Sequence, residues 1–208
     1  MHPRQPPDQP YVKPGNKQDE RSRTTIERLV TVARGLFAQQ GFAGTSAEQI
    51  VAAAKVTRGA LYHHFDGKKG LFRAVVEQVQ AEINQRVREA VDRAVEPVEM
   101  LIAGNDAFLA ACLDPGVRRI VLTDAPAVLG WEDWRAIDEA HVFGEYRAFL
   151  GQLMDKGLLR PLPVDALAHI ISGAANEAAF WAAQADDPDA ALAQAQATMA
   201  ELIRSLRA

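Results

Sequence analysis

Between Val56 and Phe72 the chain reads VTRGALYHHFDGKKGLF, which gathers two histidines, a tyrosine, an arginine and two lysines in one short segment of an acidic protein. Three chemistries use such side chains: metal ligation, proton relay and capture of a polyanion. Adjacent helical residues point about 100° apart, so His63 and His64 cannot converge on one ion, and no Cys, Asp or Glu stands at i+4 from either. A proton relay needs a cleft and a partner group, and neither is visible. The segment therefore predicts no metal, no cofactor and no catalytic residue. What remains is a polyanion, for which Arg58, Tyr62, Lys68 and Lys69 are suited.

The charge distribution points the same way. Formal net charge is -4, but residues 1 to 70 hold eleven Lys and Arg against six Asp and Glu, a net +5, and the remainder is net -9. A basic head and an acidic body suggest that only the head meets a polyanion. The single cysteine, Cys112, excludes an intramolecular disulfide framework and fits a reducing compartment. No stretch approaches the ~20 apolar residues of a membrane span. The expectation is a soluble, cytoplasmic protein with no membrane partner.

The elements that must position these groups read as helices. Residues 1–20 hold five of the eleven prolines and little apolar periodicity, which predicts a disordered arm. From Ser22 apolar residues recur at intervals of three and four until Gly41. Thr45 followed by Glu48 carries a capping-box signature for a short second helix. Thr57 is expected to cap a third, Arg58 to about His64, with Ala53, Val56, Leu61 and Phe65 as the small core between them. A long helix should run from Lys68 to about Ala94.

Beyond it, Pro97 to about Leu113, a short helix bracketed by "DPG" at 114 to 116 and Pro126, and one long helix from "GWEDW" to Gly157 are expected. Pro163 to about Ala185 and Pro188 to about Arg207 complete the set, the last begun by Asp187 as N-cap. Sustained period-two alternation and internal repeats are absent from the sequence. The fold class is all-α, about nine helices.

Two short helices joined by a tight turn make a helix-turn-helix, whose second helix enters the major groove. At Gly41, Thr45, Ile50, Ala53, Val56, Gly59, Tyr62, His64, Phe65, Lys68 and Leu71 the chain resembles the tetracycline-repressor-like (TetR) family of transcriptional regulators. The resemblance covers about residues 22 to 72. It implies that Thr45 and Ser46 touch DNA phosphates and that Thr57, Tyr62 and Lys68 are further phosphate anchors. Arg58 would be the chief base reader, because its fork can take guanine O6 and N7 together. Gly59 would let the backbone approach the duplex, with His63 and His64 at the groove edge. The chain departs from the family at Lys55, where a glycine is usual, and at Lys69, often acidic; both add positive charge. Each residue also has a structural alternative: Thr45 and Thr57 as caps alone, Tyr62 as half-buried core, Lys68 and Lys69 as solvated charges.

The resemblance further implies domains at 21–67 for DNA binding and 68–208 for effector binding and dimerisation. It implies a homodimeric repressor of near-palindromic operator DNA, released by a small-molecule effector. The small residues of "ISGAANEAAFWAA" and the stripe Leu192, Met199, Leu202, Ile203 and Leu206 would form the dimer interface through the last two helices. Large or polar groups on otherwise apolar helices are the effector candidates: Phe108, Cys112, Trp131, Trp134, His141, Tyr146, Asn176 and Trp181. Asp138, His141 and Glu145 share a face at metal-like spacing, which an ion-pair ladder explains as well. Two rival classes are an enzyme on a helical bundle, which lacks a nucleophile-base pair, and a nonspecific architectural DNA binder, which should be far more basic.

Overall fold

The computed structural model describes residues 17–208; the expectation for residues 1–16 lies outside them. Residues 17–20, expected in the arm, instead open α1 (Lys17–Gly44), which carries non-helical angles at Gly41 (φ 74°, ψ 171°). The others are α2 (Ala47–Ala54), α3 (Arg58–Phe65), α4 (Lys68–Val91), α5 (Pro97–Leu113), α6 (Pro115–Arg118), α7 (Ala125–Leu129), α8 (Trp131–Ala140), α9 (Val142–Asp155), α10 (Val164–Gln184) and α11 (Pro188–Arg204). Among the described residues there is no β-strand, only an isolated bridge between Leu159 and Arg207. The all-α class is as the periodicity of the sequence predicts.

Two departures from the expected layout have local causes. Pro126 does not end a helix. A wide π-helical turn, Arg119–Asp124, joins α6 to α7 in one run. Proline has no N–H to donate and its ring crowds the carbonyl four residues back, and the wider turn just before it relieves both. The helix expected from Trp131 to Gly157 is in fact two, broken at His141 (φ -120°, ψ -104°). Directly after the break Gly144 packs so tightly on Glu139 that a Cβ there would overlap the Glu139 carbonyl oxygen.

One apolar core runs from head to body. It contains Leu29, Phe37, Ile50 and Leu61 of the first three helices, Leu71, Val75 and Val79 of α4, and Ile120 and Val121 of the wide turn. Two smaller clusters seat α5, α9, α10 and α11 together. α4 is the common wall. At 24 residues and ~1.5 Å per residue it spans about 36 Å, and it packs on α1, α3, α5, α8 and α9. No single helix among the described residues is long and apolar enough to cross a membrane; the one bent pair of that composition, Pro97–Leu113 with Pro115–Leu129, turns by 94°.

Candidate DNA-reading head and the body cavity

The head is built by caps. Ser46, rather than Thr45, caps α2: its hydroxyl accepts from Gln49 N, and the Gln49 side chain accepts from Ser46 N at 2.7 Å. The box expected of Thr45 and Glu48 is thus shifted by one residue. Thr45 is 1 % exposed, and its hydroxyl donates to Gly41 O at 2.8 Å. Thr57 caps α3 as expected, accepting from Ala60 N at 3.2 Å. Lys55 ends α2 in the left-handed region (φ 53°), the conformation that makes glycine usual there and costs lysine up to about 1 kcal/mol.

Leu61 is the buried residue of α3, against Ile50 and Ala54 of α2. Ala53, expected inside, is exposed, because the crossing of the two helices buries the next residue, Ala54. Gly70, on the first turn of α4, is what lets α3 end so close: a Cβ there would overlap the Phe65 carbonyl oxygen. Lys68 is not a free charge. Its Nζ donates to Phe42 O at 2.9 Å and Thr45 O at 2.8 Å and lies 3.9 Å from the Phe42 ring centroid. The ammonium thereby clasps the α1–α2 corner onto the start of α4, where the helix dipole gives a cation no help.

These commitments leave a defined exposed face. Lys55, Thr57, Arg58, Gly59, Tyr62, His63 and Lys69 are exposed around α3, with Ser46 and His64 half-buried at its margin. Arg58 reaches Glu48 of α2 at 3.1 Å and lies over the Tyr62 ring, 5.5 Å from its centroid. His63 and His64 lie edge to face. Among the described residues no group of three His, Cys, Asp or Glu side chains could hold a metal.

In the body, a cavity of about 220 Å³ opens between α4, α5, α8, α9 and α10. Phe108, Trp134, Tyr146 and Asn176 line it. The other four effector candidates do not. Cys112 is buried in the core between α5, α10 and α11, and burial pushes its thiol up to about 12. Trp131 is 63 % exposed and packs at a tilt against Trp134. His141 stands at the break before α9, on an adjoining groove that shares Asn84, Arg88, Asp92 and Glu145 with the cavity. Trp181 is 49 % exposed on the outer face of α10. A helical period cannot say which side of a helix a cavity lies on, so four of the eight candidates stand away from this one.

The sequence reading missed the residues that give the cavity its polarity. Gln80 and Asn84, one helical turn apart on α4, are buried beneath it. Gln80 Nε2 donates to Asp138 at 3.4 Å, and Asn84 Nδ2 donates to Glu145 at 3.2 Å. Asp138 pairs with Arg135 at 2.8 Å, and burial raises its pKa against that pull. Arg88 pairs with Glu145 and, by hydrogen bonding, holds it below the ordinary carboxylate range. The available signal was two amides on the otherwise apolar stripe of α4.

Head and body meet at the wide turn. Val121 and Leu122 of that turn line the cavity. From the same turn Arg119 donates to Ala38 O and Gln39 O at 3.0 and 2.7 Å, and Asp124 accepts from Phe42 N at 2.8 Å. These contacts supply partners to the backbone groups at the end of α1.

Known proteins place this architecture. Residues 29–75 match the family described as bacterial regulatory proteins, tetR family, and residues 98–206 match the tetracyclin repressor-like C-terminal domain. The transposon Tn10 TetC protein of Escherichia coli is 27 % identical over 158 residues, 76 % of this chain and 80 % of its own length. The HTH-type transcriptional regulator AcrR of Shigella flexneri is 39 % identical over 69 residues, 33 % of this chain and 32 % of its own length. The crystal structure of a TetR-family transcriptional regulator from Pectobacterium atrosepticum superposes with a TM-score of 0.73 at 38 % identity, covering 90 % of this chain and 96 % of that one. With its helix-turn-helix head, its all-helical body and matches over both, the chain belongs to the tetR family of DNA-binding transcriptional regulators.

Proposed function

We propose that the protein is a ligand-responsive repressor that grips a near-palindromic operator as a homodimer and lets go when a small molecule fills the body cavity. The observation that carries this reading is α4, one helix that packs on α3 at one end and supplies Gln80, Asn84, Val87 and Arg88 to the cavity wall at the other. A ligand that displaces that wall moves the reading heads, and two heads fit successive major grooves only at one spacing.

On this reading Arg58 takes base edges, its planar fork suiting guanine. Lys55, Thr57, Tyr62 and His63 stand around it, and Ser46 with the α2 N-terminus offers backbone N–H groups to phosphate. Thr45 and Lys68 are left out, since their polar atoms are spent on backbone carbonyls.

The dimer surface on this reading is the outer face of α10 and α11. Ile170, Gly173, Ala174 and Trp181 recur at helical spacing along α10, all exposed, beside exposed Ala193, Ala197 and Leu202 of α11. These exposed apolar and small residues, with Glu177 among them on α10, suit close packing of a second copy. Of the stripe expected there, only Leu202 is exposed; Met199 and Ile203 are buried within the chain, with Leu192 and Leu206 packed beside them.

Footprinting on the DNA flanking the gene tests the reading. Two protected half-sites roughly 34 to 36 Å apart, or a multiple of that, support it. No protection, or uniform protection along the fragment, sinks it.

A further inference from the structure

The chemistry of the cavity restricts what can fill it. Seven buried side-chain polar atoms among the described residues have no hydrogen-bond partner, and five belong to residues that line this one cavity: Gln80 Oε1, Asn84 Oδ1, Asn105 Nδ2, Trp134 Nε1 and Tyr146 OH. Orphans concentrated in this way mark where a polar guest is wanted, because a buried group left unpaired is costly.

Their donor or acceptor character is fixed by what stands behind them. The Asn84 amide donates to the Glu145 carboxylate, which Arg88 keeps ionised and therefore acceptor-only. Asn84 thus leaves its oxygen unpartnered at the cavity wall. Gln80 donates to Asp138, whose other oxygen pairs with Arg135, and leaves its own oxygen free. Being four residues apart, the two oxygens are neighbours on one face of α4. A guest must bring a donor to them. Elsewhere in the lining, the Trp134 indole can only donate, and the Tyr146 hydroxyl can do either.

The buried carboxylates already have their partners without a guest. Asp138 has Arg135, Glu145 has Arg88, and Asp92 is exposed at the rim. An ionised ligand would therefore find no buried counter-ion free to meet it, at a desolvation cost that disfavours it. The remaining wall is apolar, with Val87, Leu101, Phe108, Val121, Phe143 and Ile171. A dry cavity of about 150 Å³ admits benzene, so about 220 Å³ leaves room for a body of roughly two fused rings.

We infer that the cavity takes an uncharged, compact, largely apolar molecule of one or two rings bearing a hydroxyl or N–H donor, which hydrogen-bonds to Gln80 and Asn84 on α4. This rests on the reading of the cavity as the effector site, and it names the class of effector. It also places the polar contact on the helix that carries the reading head, so the donor is the part of the guest that α4 feels.

Isothermal titration of the full chain without DNA tests it, using four probes of one shape: 2-naphthol, 2-methoxynaphthalene, 2-naphthoate and 2-naphthylmethylammonium. The expected result is saturable one-site binding of 2-naphthol, with the ether and both ions at least about tenfold weaker. In Asn84→Leu the preference for the naphthol over its ether should shrink at least about threefold, with the ether itself binding no worse. Binding of either ion as tight as the naphthol, equal binding of naphthol and ether by the native chain, or no binding of any probe overturns the inference. Because the titration contains no DNA, its failure leaves operator binding to stand or fall by the footprint alone.

Discussion

The backbone N–H of Phe42 donates to the Asp124 carboxylate at 2.8 Å, tying the end of α1 to the wide turn that also forms part of the cavity wall. In the repressor reading this hydrogen bond, with those of Arg119 to the same corner, is a second route beside α4 from a filled cavity to the head. Asp124→Ala leaves the Phe42 N–H without its partner and should cost about 1–2 kcal/mol of stability. In the repressor reading it should also reduce ligand-induced release from operator DNA more than it reduces DNA affinity. Anisotropy titrations of labelled operator with and without ligand measure both quantities; a variant released as readily as the native chain would remove this contact from the coupling.

Arg58 is held in the free protein by Glu48, 3.1 Å away across the helix-turn-helix, with both side chains 64 % exposed. A pair so solvated is worth only about 0.2–1 kcal/mol, and base contact by Arg58, as proposed, would break it. Glu48→Gln should therefore tighten operator binding about two- to fivefold, with the gain fading as salt is raised. Unchanged or weaker binding at low salt would mean that Arg58 does not need to leave Glu48.

Gly70 has no room for a methyl group against the Phe65 carbonyl. Gly70→Ala must push α3 from α4 and should cost about 1–3 kcal/mol. The melting temperature followed by circular dichroism should fall by several degrees, with operator affinity lost to a larger extent than helicity. A variant as stable as the native chain would show that α3 can shift at no expense.

Asp106, half-buried between α5 and α11, has its carboxyl raised to about 6 by desolvation. Its folded pKa lies above the unfolded one, so the stability associated with its protonated form is full below about pH 4 and is lost as pH rises through about 6. Asp106→Asn should thus be near neutral at pH 4 and stabilising at pH 8, by on the order of 1 kcal/mol once solvent screening of a half-exposed group is allowed for. Urea melts at the two pH values check the sign. An equal effect at both would assign the change to packing rather than ionisation.

The helical periodicity and the caps made the architecture legible before any coordinates. Gly41, Thr57, Pro97, Asp187 and Pro188 all stand where turn chemistry puts them, because each acts through its own backbone. The errors arose where tertiary contact decides. Thr45 and Ser46 compete for one cap, and burial of Thr45 settles which takes it. Lys68 reads as a surface charge until the carbonyls of Phe42 and Thr45 are brought beside it. Gln80 and Asn84 passed unnoticed because an amide on an apolar stripe looks like any polar interruption until a cavity opens under it. Cys112 and Trp181 share helices with cavity residues yet face elsewhere.

Arg58 stands at the first position of the reading helix, exposed and directed by no buried partner, and sequence-specific reading of DNA by that residue is the central claim. Gel-shift titrations of the native chain and Arg58→Ala, on operator and on random duplex at two salt concentrations, test it most directly. The native chain should prefer operator, with affinity falling steeply as salt rises. Arg58→Ala should lose about 1–3 kcal/mol on operator and much less on random duplex. Equal losses on both duplexes, or no operator preference in the native chain, would contradict it.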